Sequence, residues 1–183
     1  MSYTTLSLEI ADNIAHLRFD RPKEFNSMTL PFWQEVVDAF REIESRADAR
    51  VVVVSSEGKH FTAGLDLSAF QDLMGEIAEG EPGRVREQMY RSIIELQETM
   101  SALEKCRVPV LVAIQGACIG GGVDLVTAGD MRYCTENAFF QIQEINIGMT
   151  ADVGTLQRLP KLIGMGMVKE LAFTGRRFLA AEA

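Results

Sequence analysis

The chain is short of the residues that carry most metal, redox and nucleophilic chemistry. Its two histidines, His16 and His60, lie far apart in sequence, so neither a metal site nor a histidine-based triad is expected. Its three cysteines, Cys106, Cys118 and Cys134, are odd in number and lack CxxC spacing; they read as small buried thiols of a reducing compartment. No Lys-Ser or Lys-Thr follows the glycines where a phosphate loop needs it. Gly116, Gly120 and Gly121 do not space as GxGxxG, and no GxSxG elbow occurs. No apolar run approaches the length of about 18 residues that a membrane span requires. Asp12, Arg18 and Asp20 interrupt the N-terminal stretch, so no signal peptide is expected and the cytoplasm is the default compartment. Basic charge is scarce too: 18 Lys and Arg against 26 Asp and Glu leave a net charge of -8. With no basic run to override that total, nucleic acid and anionic membrane are not expected partners.

What remains is an ordinary globular composition, 47% hydrophobic and 24% charged, over 183 residues. One domain spanning 1–183 is expected. Residues 4–19 alternate around Asp12-Asn13 and predict a β-hairpin. Thr29 suits a helix N-cap and Pro31 its first turn; Phe32, Trp33, Val36, Val37, Phe40 and Ile43 follow at helical spacing and predict a core face. Val51–Val54 and Val110–Ile114 read as strands buried on both faces of a parallel sheet. A short helix is expected over 68–74, and an acidic, glycine-containing mobile loop over 75–83. Val85, Met89, Ile93, Leu96, Met100 and Leu103 mark a long amphipathic helix. Beyond the glycine turn, a helix over 122–128, strands over 131–134 and 138–142, a helix after Gly164 and a helix start at Ala180 are expected. Strands alternating with helices make the class α/β with right-handed crossovers.

Two segments share one form: buried strand, glycine turn, helix. The first ends in His60-Phe-Thr-Ala-Gly-Leu-Asp, the second in Gln115-Gly-Ala-Cys-Ile-Gly-Gly-Gly-Val-Asp. Strand ends followed by helix N-termini are where α/β proteins bind ligands. Backbone N–H groups there lack helical partners, and the helix dipole favours negative charge. Gly120-Gly121-Gly122 would let a ligand reach the main chain; a turn alone is the other reading. Asp124 lies in the first turn of the second helix, where an acid is also an ordinary dipole partner. Glu144 lies between Gln143 and Ile145 in a largely apolar stretch over 138–147, and Asp152 lies between Ala151 and Val153. Carboxyl groups so placed would have raised pKa values and could exchange protons near neutral pH; three unrelated surface acids is the alternative.

These segments resemble the two oxyanion-loop motifs of the crotonase, or enoyl-CoA hydratase/isomerase, superfamily. Arg21-Pro22 with Asn26, and Gln157-Arg-Leu-Pro, resemble two further stretches of it. The resemblance implies a right-handed spiral of ββα turns, assembled as a homotrimer or hexamer. It implies an acyl-CoA thioester as substrate and no separate cofactor, since CoA is part of that substrate. The N–H groups of Leu65 and Gly121 would bind the thioester oxygen. Two fixed donors stabilise the enolate oxygen that forms when the α carbon loses a proton, and one such donor is worth about 3 kcal/mol. Lys23, Ala63, Gly64, Asp66, Leu67, Gly120 and Gly122 would complete the substrate-binding set, with the adenine-ribose end near Lys23, Ala63 and Asp66.

Hydratases of that superfamily usually carry glutamate where Asp124 stands and a second at Glu144. Here the first acid is one methylene shorter, and Thr150-Ala-Asp-Val-Gly inserts Asp152 where most relatives have a glycine-rich turn. The set Asp124, Glu144, Asp152, preceded by Phe139-Phe140-Gln141, resembles the isomerases that shift a 3,5-diene to a conjugated 2,4-diene in fatty-acid β-oxidation. Two acids are needed to reach both ends of the diene: Asp152 is placed at the α carbon and Glu144 at the far carbon, which of the two takes the first proton staying open, and Asp124 would tune or orient Glu144. The alternatives are a hydratase using Asp124 and Glu144 on water, and a catalytically idle acyl-CoA-binding or assembly protein. Members of the superfamily continue well beyond this length into a C-terminal helical part, so this chain is expected to lack it.

Overall fold

The computed structural model describes residues 2–77 and 80–183. Strands β1 (Leu6–Ala11) and β2 (Ile14–Phe19) pair antiparallel across Asp12-Asn13, whose φ values of 50° and 65° suit the tight hairpin turn that Asp and Asn tolerate. Helix α1 (Leu30–Arg46) starts after an extended Thr29. The Thr29 hydroxyl makes no capping bond, so the helix start rests on Pro31 in the first turn and on packing. The stripe from Phe32 to Ile43 is buried as the periodicity requires. Each large apolar side chain there contributes about 2 kcal/mol, which fixes the helix against the sheet.

Strand β3 (Val51–Ser56), helices α2 (Leu67–Ile77) and α3 (Pro82–Glu104), and strand β4 (Val110–Ile114) follow. Then come β5 (Ala117–Ile119), α4 (Gly121–Ala128), β6 (Met131–Cys134), β7 (Phe139–Gln141), α5 (Thr155–Arg158), α6 (Met165–Thr174) and β8 (Phe178–Leu179). The main sheet runs β1-β2-β3-β4-β6 and is parallel from β2 onward. A smaller sheet runs β5-β7-β8, and the bridges Met28–Leu65 and Thr62–Cys118 extend its surface. Successive passes of the chain therefore place one strand in the main sheet, one short strand or bridge in the second, and then a helix. This is the ββα pattern the resemblance implies.

Several expectations need correction. β3 and β4 are buried on one face only: Val52, Val54, Val110 and Val112 are fully buried, whereas Val51, Val53, Leu111 and Ala113 are half-buried. The face carrying Val52, Val54, Val110 and Val112 belongs to the core, and the opposite face is left partly open. The loop expected over 75–83 is largely helical: Gly75 lies within α2 and Pro82 begins α3. Glu81 caps α3 by accepting hydrogen bonds from the Gly83 and Arg84 N–H groups; residues 78–79 of that expected loop lie outside the described residues. Part of the glycine turn is strand β5. Ala180, expected to start a helix, instead lies in a turn just after β8 pairs with β7, its N–H donating to the Ala138 carbonyl. Of the cysteines only Cys118 is buried; Cys106 is half-buried and Cys134 exposed, and all three are free thiols.

Candidate active site

The first ligand-side loop leaves β3 and is held by buried Asn26. Its amide donates to the Glu57 and His60 carbonyls and its oxygen accepts from the Arg21 N–H, each at 2.9 Å. Thr62, fully buried, donates to the Asn26 carbonyl and accepts from the Gly64 N–H. Gly64 has φ 85°, and a Cβ there would lie 2.6 Å from the Ile119 carbonyl oxygen, so only glycine fits. The Met28 N–H donates to the Gly64 carbonyl and the Asp66 N–H to the Met28 carbonyl. Neighbouring peptide groups of an extended chain point to opposite sides. The Leu65 N–H between them therefore faces away from Met28, and it has no acceptor among the described residues.

The second loop ends at Gly120, whose φ of 54° and ψ of -120° again call for glycine. Its N–H donates to the Gln141 carbonyl. Gly121 opens α4, so its own N–H precedes any helical partner and is free among the described residues. Gly122 is needed for packing: a Cβ there would lie 2.5 Å from the Thr62 methyl.

Leu65, Gly120 and Gly121 line a cavity of about 330 Å³. Trp33, Phe70, Met89, Ile93, Leu96 and Met149 give it an apolar wall. Two carboxyl groups face it, Glu144 and Asp152. Burial, then the neighbouring charge of Asp124, pushes Glu144 up to about 7. Burial also raises Asp152 above the usual carboxylate range. Asp124 stands behind this wall, fully buried. One of its oxygens accepts the Thr155 N–H at 2.6 Å and the other has no hydrogen-bond partner. Burial lifts it to about 6, against the lowering effect of the Thr155 bond. Such a site can hold an anionic oxygen on two N–H groups while carboxyl groups exchange protons with an apolar chain beside it.

Ala63, Gly64 and Leu67 also line the cavity. Lys23, Asp66 and Gly122 do not. Lys23 is exposed on a short 3-10 turn, and the Asp66 carboxylate bonds Ser27 and Ser68 and caps the start of α2. Asp124 is set behind its neighbours because position 124 falls on the inner face of a helix whose residues are all buried. The histidines lie outside the cavity: His16 bonds Ser55, and His60 accepts the Ala117 N–H. Sequence reasoning missed Trp33, read only as core, and Arg177, which lines the cavity, stacks on Phe139 and donates to Gln141. It also missed Gln97, whose amide donates to the Asp152 carbonyl at 2.6 Å. The stripe Met89, Ile93, Leu96 was visible as an amphipathic face; nothing in its periodicity separates a cavity wall from a core. No group of three or more metal-ligating side chains occurs among the described residues, and no helix there is long and apolar enough to cross a membrane.

Residues 9–183 match the family described as enoyl-CoA hydratase/isomerase, and the chain belongs to that family. Within it, the chain is 46% identical over its whole length to the mitochondrial Delta(3,5)-Delta(2,4)-dienoyl-CoA isomerase of Homo sapiens, and covers 56% of that protein. It is 43% identical to the peroxisomal enzyme of the same name from Arabidopsis thaliana, covering all of this chain and 67% of that one. The chain thus spans little more than half the length of the human relative. A Thermobifida fusca YX protein, crystallised in complex with acetoacetyl-CoA, superimposes with a TM-score of 0.85 at 28% identity, over 98% of this chain and 69% of that one. An enoyl-CoA hydratase from Shewanella pealeana, with a TM-score of 0.88 over 98% of this chain and 64% of that one, shares the fold at 24% identity.

Proposed function

We propose that the protein isomerises 3,5-dienoyl-CoA thioesters to conjugated 2,4-dienoyl-CoA. The observation that carries this reading is the joint placement of two partnerless N–H groups and two carboxyl groups of raised pKa around one apolar cavity. The dienoyl-CoA isomerase relatives support it. Asp152 removes a proton from the α carbon, and the Leu65 and Gly121 N–H groups hold the oxygen of the resulting enolate. Glu144, protonated near neutrality, returns a proton at the far end of the diene. One side chain cannot serve both ends of an extended acyl chain, which is why the reaction needs two acids. Burial keeps Glu144 protonated, with the charge of Asp124 adding to it, and Asp124 fastens the Asp152 segment through Thr155. The chemistry is redox-neutral, so no cofactor is proposed beyond the CoA of the substrate. Lys23 and Ala63 serve the adenine-ribose end of CoA; Asp66 acts through the fold of its loop.

A spectrophotometric assay tests the proposal. Conjugating the diene raises ultraviolet absorbance, and hydrating an enoyl thioester lowers it. A rise with a 3,5-dienoyl-CoA that disappears in Asp152→Asn is expected. A fall with an enoyl-CoA and no diene turnover would establish the hydratase, and tight CoA binding without either would leave an idle binding protein. A homotrimer or hexamer is proposed from the family resemblance and is read by sedimentation. A cytoplasmic location rests on the residues alone; the human and plant relatives carry mitochondrial and peroxisomal in their names.

A further inference from the structure

Asp152 and Val153 line two cavities at once. One is the apolar cavity described above. The other, of about 230 Å³, lies on the far side of the same segment and is lined by Gln97, Ser101, Glu104, Gln157, Arg158 and Lys161. The segment the two cavities share is held at both Asp152 and Val153. Gln97 donates to the Asp152 carbonyl at 2.6 Å, and Arg158 reaches the Val153 carbonyl at 3.3 Å. Glu104 on α3 holds that Arg158 at 2.8 Å, and the Thr155 N–H is tied to Asp124. Glu144 faces the apolar cavity and does not line the polar cleft.

We infer that the polar cleft behind Asp152 is a proton exit, through which Asp152 exchanges with solvent while the acyl chain still fills the front cavity. The inference rests on Asp152 being the base at the α carbon. Each turnover breaks a C–H bond at that carbon, puts the proton on the Asp152 carboxylate and leaves the electron pair in the enolate. The Glu144 O–H bond then breaks as a C–H bond forms at the far carbon. The enzyme is left with one proton too many on Asp152 and one too few on Glu144. An acyl chain in the front cavity shuts Asp152 off from water on that side. The cleft, lined by groups that hydrogen-bond water, passes the proton to solvent water, and Glu144 recovers one from solvent after product leaves.

The test follows label from a 3,5-dienoyl-CoA dideuterated at the α carbon, turned over in ordinary water. The proton exit requires that deuterium taken from the α carbon be lost to solvent, so the far carbon of the product carries protium. Most of the deuterium arriving at the far carbon would mean internal transfer and would overturn the inference. Ser101→Phe fills the cleft from α3, and Gln157→Phe fills it from an exposed position where folding is at little risk. Either should lower kcat roughly tenfold with KM unchanged, the scale of an impaired proton transfer, or push deuterium into the product. Two folded variants matching the parent in both rate and label would refute the cleft. Should no diene be shifted at all, α-proton exchange of a saturated acyl-CoA in D2O reads the same variants. That exchange needs only Asp152 and the two N–H donors. Slower exchange in the filled variants supports the exit, and equal exchange overturns it, whichever reaction the enzyme completes.

Discussion

Replacing Glu144 by glutamine should make the protein more stable and inactive together, in a way that depends on pH. Burial, then the charge of Asp124, raises the Glu144 carboxyl from 4.5 to about 7. The folded protein therefore keeps a proton that the unfolded chain releases across that interval. A group raised in this way contributes its full stability below its unfolded value, and loses it as pH climbs through its folded value. At 1.36 kcal/mol per pH unit the rise corresponds to about 3 kcal/mol. Glu144 keeps some contact with solvent, which reduces the figure to about 2 kcal/mol. Glutamine has nearly the same shape and cannot ionise. E144Q should match the parent at pH 4.5 and exceed it by about 2 kcal/mol at pH 8. With a urea slope of about 2 kcal/mol per molar, the unfolding midpoint at pH 8 moves up by about 1 M. Urea titrations followed by the single tryptophan, Trp33, measure it at both pH values. Turnover of the diene moves the other way, because glutamine has no proton to give. An equal stability difference at pH 4.5 and pH 8, or a less stable E144Q at pH 8, would refute the electrostatic account of the site.

Asp124→Asn keeps an oxygen for the Thr155 N–H and removes the charge that helps raise Glu144. Glu144 then ionises at lower pH, and the alkaline limb of the pH–rate profile should move down by about 1 pH unit, with the acid limb set by Asp152; an unmoved alkaline limb would separate Asp124 from Glu144. Gly122→Ala puts a methyl 2.5 Å from the Thr62 side chain and 3.2 Å from the Cys118 sulfur. Thr62 is tied to Asn26 and Gly64, so the push reaches the Leu65 loop as well as the core. A loss of about 2 kcal/mol and a Tm lower by about 5 °C are expected by calorimetry.

Local chemistry accounts for how much of this molecule can be read without coordinates. The hairpin and α1 follow from alternation, a tight-turn dipeptide and a stripe of aromatics, all of them short-range signals. The start of α3 was equally local: Glu81-Pro82 is a capping acid followed by a proline in the first turn, and it was outweighed by the acidic, glycine-bearing stretch around it. The two glycine turns between strand and helix were legible for the same reason, and the family resemblance singled out the Leu65 and Gly121 N–H groups within them. The placement of the three acids relative to the cavity was not. It depends on which oxygen of Asp124 meets the Thr155 N–H, a contact across 31 residues that no periodicity encodes. That contact explains why an aspartate suits position 124. The residue is fully buried, its carboxylate bonds a backbone N–H from the segment that carries Asp152, and its charge reaches Glu144. A glutamate there would need room for one more methylene in a helix already buried on every side. Asp124 thus stands back from the cavity and, through Thr155, fastens the segment that carries Asp152 to its edge.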